Sequence, residues 1–365
     1  MRSLSAERCW AEVDSAALRH NAEVARERVG SRTELLAVVK ANGYGHGMIE
    51  VADALRVSAD LFGVANLHEA QELRGSGITQ PILILGPALP NERAEIRDGG
   101  FIATVSSLEE ARAFAGNRAG INFAVDTGMG RMGCWQDDAL AQLEQIARIP
   151  GLQLHSVSTH LPVAEHDPVF TAEELAGFDQ LVRQMRARVP GSYKVHVLLS
   201  AGILAYSRHP FDIVRAGLML YGCSPLPEAQ KFLRPVLALK SRVTLLRDLP
   251  AGRSVSYGRT FITPQPMRVA TISAGYADGY PRSISNRDGA VLIGGRRCPL
   301  LGRITMDLMM ADVSAVPEVK LGDEVVLIGK QDTEEILAAE IAERAETIPW
   351  EIFTGIGSRV RRVYL

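Results

Sequence analysis

The chain has 365 residues, 47% of them hydrophobic and 22% charged, with 40 Lys and Arg against 42 Asp and Glu. A formal charge of −2 removes the electrostatic argument for a nucleic-acid or anionic-membrane partner, whose surfaces need clustered Lys and Arg, and so large an apolar fraction argues against disorder. The length suits about two domains, and the near-neutral balance points to a small, weakly charged ligand.

The opening segment, MRSLSAERCWAEVD, has no apolar stretch of the signal-peptide kind, and the longest mostly apolar run, VLLSAGILAY, is shorter than the roughly 18–20 residues of a membrane span. A soluble cytoplasmic protein that contacts no membrane or nucleic acid is expected. Cys9, Cys134, Cys223 and Cys298 lie far apart without a C-x-x-C pair, so reduced thiols are expected and no metal site.

Up to about residue 225, apolar segments rich in β-branched residues alternate with helical spacing. They are LLAVVK (35–40), LFGVAN (61–66), PILILG (81–86), FIATVS (101–106), INFAVD (121–126), LHSVSTH (154–160), VHVLLS (195–200) and FDIVRAGLMLYG (211–222). Between them EVADALRVSAD, EAQELRGSG, SLEEARAFAG, DALAQLEQIARI and TAEELAGFDQLVRQMRARV read as helices, several opened by a Ser, Thr or Asp cap. Strands apolar on both faces and separated by helices indicate parallel pairing. Eight such units over roughly 210 residues predict a (β/α)8 barrel; an open doubly wound sheet would give a similar string. Lys40, Asp126, His160, Ser200 and Arg215 all fall at strand ends, which in a barrel meet on one rim.

From about residue 230, ALKSRVTLLRDL, SVSYGRTF, MRVATISAG, AVLIGGRRCPLLGRITMDLMMADV and DEVVLIG read as strands, with a helix near EEILAAEIAERAE. The expected division is a barrel over 1–230, whose first residues can pair with the second domain, and a mostly-β domain over 231–365.

Lys40 is followed by ANGYGHG, a loop whose glycines let main-chain N–H groups approach an anion. Against an apolar wall its pKa falls and the amine becomes nucleophilic towards a carbonyl. Ser200, Arg215 and Gly217 border the loops after strands seven and eight, a common phosphate corner in barrels. A rim lysine and a phosphate corner together suggest a phosphorylated aldehyde, pyridoxal 5'-phosphate (PLP). Each residue also has a plainer reading: a solvent-facing lysine, turn residues, a core histidine at His160, a surface ion pair at Arg215 and a packed strand tyrosine at Tyr257.

In order, AVVKANGYGHG, VDTGMGRMG, VSTHLPVAEHD, VRAGLMLYG, VSYGRTF, SAGYADGYPR and GRITMD resemble the alanine racemase family of PLP enzymes over almost the whole chain. The resemblance implies a PLP-dependent isomerase interconverting L- and D-alanine, a barrel with a β domain, and a homodimer sharing its active sites. It implies that Lys40 is the Schiff-base lysine and one base. Tyr257, lent by the partner subunit, is the base on the opposite face. Tyr44, Ser200, Gly217 and Leu218 lie where the family holds the phosphate. Arg215 matches the arginine on the pyridine nitrogen, His160 the histidine supporting it, and Arg131 the arginine near both the cofactor's phenolic oxygen and the substrate carboxylate. Met306, again from the partner, matches the residue whose main-chain N–H meets that carboxylate. A free tyrosine of pKa ~10 is ionised only about once in a thousand at pH 7, so its phenolate needs nearby positive charge, for which His160 and Arg215 are the candidates.

Three positions depart from the family. Ala124 stands where many members carry a carbamylated lysine, which leaves Arg131 to be steadied by something else, such as a bound chloride. Trp350 replaces a tyrosine that touches the cofactor phosphate, and Leu199 replaces an asparagine. These changes leave serine or broad-specificity racemisation as an alternative, with a decarboxylase of the same architecture or a non-catalytic PLP carrier behind it.

Overall fold

The computed structural model describes residues 7–116, 119–189, 191–207 and 211–365. The chain divides into two compact units: Leu18–Gly43 with Met48–Arg234, and residues 7–17 with Tyr44–Gly47 and Pro235–Leu365.

In the first unit eight strands close a parallel ring: Glu34–Val38, Leu61–Val64, Ile82–Pro87, Ile102–Val105, Ala119–Asp126, Leu152–Ser158, Lys194–His196 and Ile213–Ala216. Each pairs with its neighbours in chain order, and the eighth returns to the first with Arg215 opposite Leu36. The fold is therefore the closed barrel rather than an open sheet. Leu35, Leu36 and Ala37 are fully buried, the two-faced burial that their unbroken apolar run foretells. Helix starts carry caps: Asn66 accepts from the Glu69 N–H and Ser107 from Glu110, and Asp167 accepts from Phe170 ahead of the long helix Pro168–Arg188, which begins three residues before the expected Thr171.

Two strands end earlier than their apolar runs. The seventh stops at His196, and Ser200 opens the short helix Ser200–Ala205; the eighth stops at Ala216, and Leu218–Tyr221 is a 3-10 turn. In both cases the segment past the strand stays buried, so hydrophobicity carried no signal of the change from ladder to turn.

In the second unit the 13-residue strand Leu237–Leu249 is the hub. It pairs antiparallel with Cys9–Val13, Met267–Ile272 and Glu324–Gln331, and Cys9–Val13 pairs in parallel with Arg361–Tyr364. Ala290–Ile293 joins Arg296–Pro299 and Glu324–Gln331, while Met309–Asp312 lies beside Met267–Ile272. The SVSYGRTF segment is not one strand: Ser254–Val255 and Phe261–Ile262 form a small pair around a 3-10 turn at Tyr257–Arg259. Residues 302–308 also leave the ladder, because Thr305 closes a turn onto the Leu308 carbonyl through both its N–H and its hydroxyl. Among the described residues no helix is long and apolar enough to cross a membrane.

Candidate active site

Immediately after the first barrel strand the backbone turns left-handed. Ala41, Asn42, Gly43, Tyr44 and Gly45 all have φ between 48° and 79°, a conformation that costs a non-glycine residue roughly 1–2 kcal/mol. Local hydrogen bonds hold it. Glu69 Oε1 accepts from the Ala41 N–H at 2.8 Å, Asn42 Oδ1 accepts from the Met48 N–H at 3.1 Å, and the Gly43 N–H donates to the Val39 carbonyl at 2.8 Å. The turn begins at Lys40 and sets the direction in which that residue leaves the strand.

Lys40 is half-buried, and its amine titrates below the ordinary lysine range. Burial is the main cause; Arg131 and Arg215 push the same way, and Glu69 opposes them. Arg215, only 7% exposed, is the deepest cation of the group, and burial followed by Arg131 lowers its pKa to about 10. It still carries its charge at neutral pH. Its Nη2 donates to the carbonyls of Thr159 and Val197 at 2.7 and 2.9 Å and meets His160 Nδ1 at 3.4 Å, while Nη1 meets His196 Nδ1 at 2.9 Å. Arg131 is exposed.

His160 is driven down to about pKa 3, by burial first and then by Arg215, Arg131 and Lys40. It is therefore a neutral acceptor throughout the working pH range. Of the two candidates for stabilising a phenolate by positive charge, Arg215 keeps its charge, whereas burial, reinforced by three neighbouring cations, favours the neutral form of His160.

At the start of the helix after the seventh strand the Ser200 hydroxyl accepts from the N–H groups of Gly217 and Met219, at 3.1 and 3.2 Å. That ties the helix Ser200–Ala205 to the 3-10 turn Leu218–Tyr221 and leaves the hydroxyl proton as the one Ser200 can give. The first N–H groups of a helix have no partner inside it, so this corner presents main-chain donors together with a hydroxyl.

The remaining expected residues belong to the second unit. Tyr44 is buried, its phenol pushed up to about 12 by that burial, and the Trp350 indole N–H donates to its oxygen. A glycine is required next to it: a Cβ on Gly45, at φ 79°, would lie 2.1 Å from the Phe353 carbonyl oxygen. Tyr257 and Met306 are 69% and 53% exposed. Ser256, at φ 63°, donates its hydroxyl to the Arg303 carbonyl, and a Cβ on Gly258 would lie 3.2 Å from the Arg303 guanidinium. The turn carrying Tyr257 is thus braced by the loop carrying Met306.

Four residues of this neighbourhood escaped sequence reasoning. Glu69 was concealed as an ordinary helix-start acid, though it follows its Asn66 cap at the spacing of a capping box. His196 and Thr159 lie inside apolar runs with no motif of their own. Glu174, on the long helix, hydrogen-bonds the Thr127 hydroxyl, which in turn meets the Thr159 hydroxyl at 2.7 Å. Asp126 folds the loop between them by accepting from the N–H groups of Gly128 and Gly130. Glu174 is 8% exposed, and its second oxygen has no hydrogen-bond partner among the described residues. Burial raises its pKa above 4.5, with Asp126 adding to the rise and the Thr127 bond opposing it.

A carboxyl with a raised folded-state pKa stabilises the fold below its unfolded value and loses that contribution as pH rises through the folded one. The melting-temperature difference between wild type and Glu174→Gln is therefore expected to grow in favour of wild type as pH falls from 7 towards 4.5. Parallel melting curves across that range would contradict a buried, proton-holding Glu174.

The geometry has counterparts among known proteins. The family model "Alanine racemase, N-terminal domain" matches residues 13–225, and "Alanine racemase, C-terminal domain" matches 236–364. A protein of Methylacidiphilum infernorum named alanine racemase is 40% identical over 367 residues, covering 98% of this chain and 92% of its own length. The crystal structure of alanine racemase from D-cycloserine-producing Streptomyces lavendulae superposes with a TM-score of 0.90 at 35% identity, over 98% of this chain and 97% of the other. That of Bacillus anthracis alanine racemase with bound L-Ala-P gives 0.89 at 34%, over 98% and 95%. With both domains matched in order and relatives aligned over nearly the full length, the chain belongs to the alanine racemase family.

Proposed function

We propose that the protein is a PLP-dependent isomerase that interconverts L- and D-alanine in the cytoplasm, as a homodimer with shared active sites. The carrying observation is the group of cations Lys40, Arg131 and Arg215, which act on one another with Glu69 as the opposing carboxylate. Such a surplus of positive charge favours an anionic occupant, and the Ser200 corner adds main-chain and hydroxyl donors. The residues present therefore fit a phosphorylated aldehyde.

In this reading Ser200, Gly217, Leu218 and Tyr44 hold the phosphate, with Trp350 fixing the Tyr44 phenol. Lys40 would hold the carbonyl carbon, and Arg215, supported by His160, would meet the ring nitrogen. PLP, when bound, supplies an electron-withdrawing ring that acidifies the substrate Cα–H bond. Inversion then requires a proton to leave one face of Cα and another to arrive on the opposite face. The lowered pKa of the Lys40 amine suits it to take and return the proton on its face. Tyr257 serves the other face, and its exposure, with that of Met306, suits residues that a second copy covers. Arg131, and the Met306 main-chain N–H from the partner, take the substrate carboxylate.

Alanine is favoured over serine by what the altered positions offer. The single N–H of Trp350 is spent on Tyr44, and Leu199 has no polar atom, so neither can pair with a substrate hydroxyl. A pocket without such a partner gives serine no binding advantage. Chiral chromatography on alanine, serine and several larger amino acids, with CO2 release followed in parallel, tests the assignment. Alanine is expected to racemise fastest without CO2. Faster inversion of serine would overturn the substrate, and CO2 without inversion would overturn the reaction class.

A further inference from the structure

Behind Arg215 the barrel interior contains a continuous line of polar side chains in an otherwise apolar core. His196 Nε2 lies 3.2 Å from Ser156 Oγ, and the Ser156 hydroxyl donates to Asn122 Oδ1 at 3.0 Å. Asn122 Nδ2 donates to Thr104 Oγ1 at 3.2 Å and to Ser158 Oγ at 3.0 Å, and the Thr104 hydroxyl donates to the Ile84 carbonyl at 2.7 Å. His196 and Ser156 are fully buried, and Asn122, Thr104 and Ser158 are no more than 4% exposed. The line crosses the barrel from the eighth strand to the third.

Its protons run in one direction. A guanidinium only donates, so His196 Nδ1 must be the acceptor of Arg215. A neutral imidazole with an accepting Nδ1 carries its hydrogen on Nε2, and burial, with Arg215 next in effect, keeps His196 neutral. That hydrogen goes to Ser156 Oγ, whose own proton is taken by Asn122, so that His155 Nδ1, 3.1 Å from the same oxygen, is a second donor to it. The Asn122 amide cannot turn over, since its nitrogen faces Thr104, whose proton is committed to the Ile84 carbonyl.

We propose that Asn122 is a positioning residue for Arg215: by drawing off the Ser156 proton, it holds His196 as the Nε2–H tautomer and keeps the Nδ1 lone pair on the guanidinium. This rests on the reading that Arg215 faces the ring nitrogen of PLP. Without an acceptor at position 122 the Ser156 hydroxyl would turn its proton towards a ring nitrogen, and ring-labelled histidine distinguishes His155 Nδ1 from His196 Nε2. On His196 the imidazole hydrogen would move to Nδ1, where it opposes the Arg215 N–H donor to donor. Removing the hydroxyl as well takes away the competing proton, and the original tautomer returns.

The test is 15N NMR of the PLP-loaded protein with ring-labelled histidine, together with the cofactor's visible spectrum and its dissociation constant. Wild-type His196 is expected as Nε2–H. Asn122→Leu is expected as Nδ1–H, with PLP bound roughly tenfold more weakly. The double variant Asn122→Leu/Ser156→Ala is expected to return to Nε2–H, a reversal that a merely structural role for Asn122 would not produce. A wild-type Nδ1–H or doubly protonated His196 overturns the proposal, as does an unchanged tautomer in Asn122→Leu. If Asn122→Leu does not fold, the wild-type tautomer together with that of Ser156→Ala, expected to remain Nε2–H, decides. Arg215→Gln separates the two layers: an unaltered spectrum and PLP affinity there would remove Arg215 from the cofactor and leave the tautomer result standing.

Discussion

Replacing Lys40 with Ala is expected to abolish racemisation, with kcat falling by at least about 10^4, because one side chain supplies both the attachment point and a base. The visible absorbance of lysine-linked cofactor should vanish with it, while the barrel melts close to the wild-type temperature. The environment explains why no other residue substitutes. The Lys40 amine is depressed by burial and by Arg131 and Arg215, whereas the nearby guanidinium Arg215 remains charged, with a pKa of about 10. Lys40→Arg should consequently fail as completely as Ala despite keeping the positive charge. Measurable turnover in either variant would remove Lys40 from the chemistry.

Tyr257→Phe is expected to separate two observables. Racemisation should fall by about 10^2–10^4, the range for loss of an acid–base group, while cofactor absorbance stays. The face served by Lys40 remains intact, so washout of α-deuterium into water should persist from one enantiomer and disappear from the other. Equal washout from both, or normal racemisation, would refute the assignment of one base to each face. The lost hydroxyl is carried by a turn braced on Arg303, so the substitution should not disturb the surrounding loop.

The barrel was legible because burial on both faces leaves a plain trace, an unbroken apolar run between helical patterns, and because a cap such as Ser107 punctuates it; the caps Asn66 and Asp167 lie ahead of the expected starts. The β domain was legible as strands, but SVSYGRTF and GRITMD were not legible as turns: their hydrophobicity resembles that of the flanking ladders, and the left-handed φ of Ser256 and Gly302 gives no periodicity. Helices Ser15–Val29 and Pro349–Thr354 were passed over, the first polar in character and the second short. Motifs located Lys40, Ser200 and Arg215 in the chain. The charge state of His160 was hidden, because it depends first on burial and then on three cations that come from distant segments. The same holds for His196, Asn122 and Glu69, whose roles come from cross-strand neighbours and not from their own surroundings in the chain.

Strand Cys9–Val13 lies between Leu237–Leu249 and Arg361–Tyr364, hydrogen-bonded on both edges. During synthesis, at ~5–20 residues per second, it waits on the order of 10–50 s for its first partner, roughly 220 residues downstream. Through that interval Trp10, Ala11 and Val13, all nearly or fully buried in the finished sheet, stand exposed on a strand with two open edges, a shape that invites pairing with other chains. A fragment beginning at residue 231 would meet the converse problem, since its longest strand would lack a neighbour. Expression as separate halves should therefore yield aggregation from the β half.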